Sequence, residues 1–367
     1  MHLEQLSILN FKNYESLELN FKDGVNCITG KNGVGKTNLL DAIYYLALTK
    51  SYFNPIDNQM LRHGEKMMMV KGNFDIDGKK ETITCGIRSG QKKMVKRNQK
   101  EYDKIAEHIG LIPLVIITPF DSYLILEGSD VRRKFMDGII SQENRSYLQI
   151  LINYNRALQQ RNLLLKHFSR EHHFDKDALE IWNEKLIEYG EPIYKLRNDF
   201  IENFIPVFQT FYDRISTSKE KVTLEYRSSL SEGDFRGQLQ SSLNEDLMKQ
   251  YTNVGVHKDD LIFNIDGFQL KKFASQGQQK TFLLALKLAQ FRQMQEVMEA
   301  TPILLLDDIY DKLDEVRMRE LMQVVSENGF GQIFITDTHS KRVAAFFEGS
   351  GIEVNSFHIK EGGSLNE

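Results

Sequence analysis

The 367-residue sequence predicts an α/β fold in which a head built on a parallel sheet is assembled from both ends of the chain, with a mainly helical arm inserted between them. Three observations predict it. The run Gly30-Lys31-Asn32-Gly33-Val34-Gly35-Lys36-Thr37 stands between a strand-like and a helix-like segment. Far downstream, Pro302-Ile303-Leu304-Leu305-Leu306-Asp307-Asp308 is an unbroken apolar run ending in two carboxylates, as in a central strand buried on both faces. From Asp130 to about Ile215 the chain has few glycines and carries apolar residues at helical spacing, such as Leu148, Leu151, Ile152 and Leu158, Leu165. The expected division is 1–124 for the first part of the head, 125–250 for the arm and 251–367 for the second part of the head.

Taken in chain order, Gly24-Val25-Asn26-Cys27-Ile28-Thr29 reads as a short strand, and Asn38 to Leu46 as a helix. The run between them fits G-x-x-x-x-G-K-[ST], a loop whose backbone N–H groups wrap a nucleotide's phosphates. A random chain of this length carries that pattern about 1% of the time, and the strand-loop-helix context lowers the chance further, so ATP or GTP binding is expected. Lys36 then reaches the β and γ phosphates, and Thr37 holds Mg²⁺. The densest basic run, Lys92-Lys93-Met94-Val95-Lys96-Arg97-Asn98-Gln99-Lys100, reads as a hairpin that either tracks phosphates or is simply solvated. Arg132, Arg133, Arg156 and Arg161 are a second cationic set, on the arm, which either meets nucleic acid or forms ion pairs with neighbours such as Glu143 and Asp130.

The arm is expected to be short, because no heptad is sustained and no Cys-x-x-Cys hook occurs. Lys221 to Tyr226 reads as a strand returning toward the head. Ser275 and Gly277 open a strongly apolar helix; the Ser275 hydroxyl either caps that helix or donates to a phosphate oxygen. In parallel sheets ligands gather at the carboxyl ends of strands, which puts Asp307 in the Mg²⁺ shell and Asp308 against the γ-phosphate, orienting an attacking water. A last strand, Gln332 to Thr336, leads into Asp337-Thr338-His339, where a resemblance to ABC-type ATPases implies that either Thr338 or His339 senses the γ-phosphate.

Composition narrows the class. With 41% hydrophobic and 27% charged residues the chain reads as soluble, with no apolar run long enough for a membrane span and no signal-peptide opening, so the cytoplasm is the expected location. Its two cysteines are too few for a disulfide framework or a Cys-built metal site. At a formal charge of −4, any nucleic-acid binding must rest on a local basic surface.

The string Ser275-Gln276-Gly277-Gln278-Gln279, about 30 residues before the LLLDD strand, resembles the signature motif of ABC-type ATPases, and Ile309 to Asp314 resembles their interface loop, with Asp314 its diagnostic acid. Leu6 to Tyr14, the loop from Gly30 to Leu40, Ile117 to Asp121, Arg132 to Asp137, Tyr154 to Asn162 and Gly255 to Leu261 resemble the RecF family of ABC-type, SMC-like ATPases over nearly the whole chain. The resemblance implies a recombination mediator of DNA replication and repair. Such a protein forms an ATP-dependent homodimer on duplex or gapped DNA, hydrolyses ATP slowly, and works with RecR and RecO to load RecA on single strands. It further implies that Lys12, Asn13, Gly277, Gln278, Asp314 and His339 join the phosphate loop around ATP, and that Ser275 acts across the dimer. Lys12 stands where Arg is common, Phe120 where Glu is, and Asp311 where Ser is, which changes the local contacts rather than the family. The rival expectations are an ATP-binding scaffold without turnover and a transporter-type ATPase subunit.

Overall fold

The computed structural model describes residues 1–171, 173–216, 220–308, 315–327, 331–338, 343, 347 and 353–360. In chain order the elements are β1 (His2–Phe11), β2 (Tyr14–Asn20), β3 (Val25–Thr29), α1 (Lys36–Leu48), β4 (Met67–Ile76), β5 (Lys79–Arg88), β6 (Met94–Arg97), β7 (Lys100–Glu101) and β8 (Leu114–Ile117). There follow α2 (Tyr123–Leu126), α3 (Ser129–Glu143), α4 (Arg145–Glu171), α5 (Lys176–Ile215), β9 (Val222–Arg227), α6 (Phe235–Ser241), α7 (Leu243–Lys249), β10 (Asp260–Ile265), β11 (Phe268–Gln269), α8 (Leu270–Phe273) and α9 (Gln276–Met298). The last elements are β12 (Ile303–Leu306), α10 (Glu315–Glu327), β13 (Ile333–Asp337) and β14 (Val354–His358). They form two compact units: Met1–Asp121, Phe211–Thr217 and Lys280–Glu367 in the first, Ser122–Thr210 and Ser218–Gln279 in the second.

The first unit holds a parallel sheet of order β14-β3-β13-β12-β8 and an antiparallel sheet of order β2-β1-β4-β5-β6-β7. Every residue of β3, β8, β12 and β13 is buried, which is why β8 and β12 read as continuous apolar runs. β1 and β4 instead alternate, with one face turned to the core. Leu39, Leu40, Ile43 and Leu46 of α1 join Leu3, Leu6, Phe74 and Ile83 of the antiparallel sheet and Ile28, Ile116, Leu305 and Phe334 of the parallel sheet in one core. Gln332, just before β13, pins the sheets together: its amide donates to the carbonyls of Leu3 (2.8 Å) and Lys22 (3.0 Å) and accepts from the Leu3 N–H (2.7 Å). Cys27 and Cys85 are buried, and burial pushes both thiols up to about 12, so they are inert.

The second unit combines the long helices α3, α4 and α5 with the sheet β11-β10-β9. Two buried arginines organise it. Arg161 bonds Asp246 (2.7 Å), Asn183 (2.7 Å) and Thr252 (2.8 Å) with its side chain fully enclosed. Arg197 bonds Asp259 (2.8 Å), the Val256 carbonyl (2.7 Å) and Asp137 (2.9 Å). Two sequence expectations change here, and one that the sequence left open closes. The strand from Lys221 does not go to the head: β9 pairs antiparallel with β10 along Val222–Arg227 inside the second unit. For the same reason the chain re-enters the first unit at Lys280, within α9, rather than near residue 251. Finally, Arg161 is enclosed, Arg132 grips both oxygens of Asp260 (2.7 and 2.9 Å) and Arg133 bonds Ser129 and the Asp259 carbonyl, so these three hold the unit together and only Arg156 of the four is exposed.

Candidate nucleotide-binding site

The phosphate loop lies between β3, an inner strand of the parallel sheet beside β13, and α1. Two of its glycines are dictated by space and backbone. Gly30 has φ 151°, and a Cβ there would stand 2.4 Å from the Ile359 carbonyl oxygen. Gly35, the residue before α1, has φ 113°, and a Cβ there would stand 2.3 Å from the Asn13 amide nitrogen. No side chain caps α1 and its first turn holds no acid, so its N–H groups and the positive end of its dipole are left for an anion. Lys36, buried at 8% exposure, folds back so that its ammonium donates to the carbonyls of Gly30 (2.8 Å) and Lys31 (3.0 Å). Lys31, Asn32 and Gly33 are exposed at the lip, with Val34 turned into the core.

The hairpin turn between β1 and β2 braces this loop. The Asn13 amide donates to the Val34 carbonyl (2.9 Å) and accepts from Asn38 (2.7 Å), while the Tyr14 hydroxyl donates to the Gly35 carbonyl (2.9 Å). Lys12 takes a left-handed backbone (φ 52°), and its ammonium lies 2.6 Å from Asp41, a fully buried carboxylate on α1 that also accepts from Ser51 (2.6 Å) and the Tyr52 N–H (2.8 Å). Of the two turn residues assigned to ATP by resemblance, Asn13 therefore touches the loop itself, and Lys12 is committed to an ion pair beside it.

Asp307 follows β12 and comes to the helix side of the loop. The Thr37 hydroxyl, in the first turn of α1, lies 3.0 and 3.1 Å from its two carboxylate oxygens, and Thr336 on β13 donates to the first of them at 2.9 Å. Burial lifts the Asp307 carboxyl above the usual carboxylate range, against the pull of those hydroxyls. Asp308 is half-buried, takes a left-handed backbone (φ 50°) and donates its N–H to Thr336 (2.9 Å). Of the sequence-predicted Asp307, Asp308, Lys36 and Thr37, the structure brings Thr37 and Asp307 into contact. Thr336, which that set lacks, also touches Asp307, and its only sequence signal is a hydroxyl residue near the end of a buried strand.

The signature motif belongs to the second unit. Ser275 is exposed and caps α9: its hydroxyl accepts from the Gln278 N–H (3.3 Å), and the Gln278 side chain accepts from the Ser275 N–H (2.7 Å), a reciprocal capping box. Accepting leaves the hydroxyl proton for another oxygen, so capping and phosphate donation are compatible rather than alternatives. Gly277 lies in the same first turn. Thr338 donates to Asp337 (3.3 Å); Asp314 and His339 lie outside the described residues.

Residues 2–356 match the SMC_N family, described as the RecF/RecN/SMC N terminal domain. The chain is 49% identical to the DNA replication and repair protein RecF of Flavobacterium johnsoniae over 359 residues, covering 98% of this chain and 100% of that protein. The chain belongs to the RecF family. RecF of Phocaeicola vulgatus is 46% identical over 364 residues, with 99% of this chain and 97% of that protein covered. The solved "Structure of the recombination mediator protein RecF-ATP in RecFOR pathway" superposes with a TM-score of 0.89 at 32% identity, covering 100% of this chain and 97% of the other. An Smc head domain from Pyrococcus furiosus, at a TM-score of 0.56 and 15% identity over 100% of this chain and 96% of that one, shares the ABC-type ATPase fold. In this RecF-family head the phosphate loop and the strand end at Asp307 meet through the Thr37 hydroxyl.

Proposed function

We propose that this RecF-family ATPase of recombinational repair is an ATP-gated clamp on DNA: ATP closes a two-fold homodimer on duplex or gapped DNA, and slow hydrolysis reopens it. The observation that carries the reading is the contact between Thr37 and Asp307 beneath a phosphate loop whose helix end is uncapped. Lys36 is placed to exchange its two loop carbonyls for phosphate oxygens, a charge-assisted bond in place of two neutral ones. The Thr37 hydroxyl and Asp307 carboxylate form an all-oxygen donor pair, and among the described residues no cluster of three metal-ligating side chains exists. That sparse set fits Mg²⁺, which takes one or two protein oxygens and completes its shell with phosphates and water. Bound there, Mg²⁺ would supply charge neutralisation of the β and γ phosphates. Asp308 is left to orient the attacking water, with Thr338 or His339 as γ-phosphate sensor.

Ser275, exposed at the N-terminus of α9 with its proton available, supports a role across the dimer, where each site would combine the phosphate loop, Asp307 and Asp308 of one protomer with Ser275 and Gly277 of the other. DNA would be held through its backbone, without base preference, by local cations such as exposed Lys92, Lys100 and Arg156; Lys93 and Arg97 are already paired with Asp57 and Glu81. The same reading assigns cooperation with RecR and RecO in loading RecA, in the cytoplasm. No described helix is long and apolar enough to cross a membrane. The test is light scattering with and without ATP. Asp308→Asn should bind ATP and accumulate as dimer, and Ser275→Arg should bind ATP as monomer and fail to dimerise. A Ser275→Arg protein that dimerises normally removes the cross-protomer role.

A further inference from the structure

We propose that Thr336 is a positioning residue for ATP hydrolysis, one hydroxyl that sets the aspartate of the metal shell and the aspartate facing the water together. The inference rests on the ATPase reading above. β13 runs between β3, which leads into the phosphate loop, and β12, which leads into Asp307. Leu306 is paired with Ile335, so the next step along the two parallel strands brings Thr336 alongside Asp307. Its side chain is fully buried there. A hydroxyl has one proton to donate and lone pairs to accept with, and Thr336 uses both: it donates to Asp307 (2.9 Å) and accepts from the Asp308 N–H (2.9 Å).

Each half of that arrangement has a consequence. Asp307 receives two hydroxyl donors, Thr37 from the loop side and Thr336 from the sheet side, which together fix the rotation of its carboxylate. Asp308 holds a left-handed backbone that a non-glycine residue rarely adopts unless its surroundings impose it. The bond from its N–H to Thr336 opposes relaxation to an extended backbone, a change that would swing the Asp308 carboxylate to another direction. Partners that orient functional carboxylates change activity about 10- to 100-fold when removed.

The experiment compares Thr336→Val, which keeps the shape and loses the hydroxyl, with Thr336→Ser, which keeps the hydroxyl. ATP affinity, kcat and thermal midpoint are measured for each, with Asp308→Asn alongside. Thr336→Val should lower kcat about 10- to 100-fold while ATP affinity changes less than about threefold, and Thr336→Ser should recover kcat to within about threefold of the parent. Thr336→Val with kcat within twofold of the parent overturns the proposal, as does Thr336→Ser impaired as severely as Thr336→Val, which would make the residue a packing group. Undiminished turnover in Asp308→Asn instead overturns the underlying ATPase reading. If Thr336→Val does not fold, the proposal stands or falls on the Thr336→Ser turnover, which must stay near the parent.

Discussion

Replacing Gly35 by alanine tests whether the β1–β2 turn shapes the phosphate loop. Gly35 has φ 113° and ψ 12°, and holding a residue with a Cβ in a left-handed conformation costs roughly 1–2 kcal/mol. The new methyl would also stand 2.3 Å from the Asn13 amide nitrogen, so Asn13 must move and give up its bonds to the Val34 carbonyl and from Asn38. Each such bond contributes about 1 kcal/mol. The unliganded loop can relax to escape the strain, so the whole cost, about 3 kcal/mol, falls on nucleotide binding and weakens it by about two orders of magnitude. Titration of a fluorescent ATP analogue reads this directly. Asn13→Ala alone, which loses the same two bonds, should weaken binding about 30-fold, and because it removes the group the methyl strikes, the double variant should bind more tightly than the two separate losses predict. An affinity within threefold of the parent for Gly35→Ala, or strictly multiplicative losses, would refute the reasoning.

Two further predictions concern the second unit, which contains the chain's single tryptophan, Trp182, so intrinsic fluorescence during denaturation reports on that unit. Arg161→Met leaves the fully buried Asp246 carboxylate without its cation and should destabilise by about 3–5 kcal/mol, whereas Arg156→Ala, at an exposed site, should shift stability by less than about 0.5 kcal/mol. Equal shifts would contradict the assignment of Arg161 to structure. Burial pushes the Glu143 carboxyl from its ordinary 4.5 up to about 7, and one of its oxygens has no hydrogen-bond partner among the described residues. Between those values the folded state binds the proton that the unfolded state has released, so stability falls as pH rises from about 4.5 to 7, by up to about 3 kcal/mol. Glu143→Gln should flatten that part of the profile, and an unchanged slope would show that Glu143 does not cause it.

What the sequence made legible and what it hid follow from the range of the interactions. β12 was readable because a strand buried on both faces carries an unbroken apolar run, and the loop after β3 because Gly30 and Gly35 occupy positions only glycine fits. The pairing of Thr37 with Asp307, separated by 270 residues in the chain, followed from motif logic and appears in the structure. Nothing local marks Asp41 as the partner of Lys12, or distinguishes the enclosed Arg161 from the exposed Arg156, because burial of a charge depends on a partner far along the chain. β9 alternates like any half-buried strand, and alternation names a face without naming the neighbour, so its pairing with β10 in the second unit was not readable. Thr336 was hidden by the same limit: its role depends on β13 lying beside β12, a fact of sheet order.

The most direct test of the clamp is fluorescence anisotropy of a labelled gapped duplex titrated with Asp308→Asn protein, with and without ATP, at two salt concentrations. Tight binding only with ATP, weakened as salt rises, is the predicted result; binding that is equal with and without ATP, or absent in both, would contradict it and favour a scaffold.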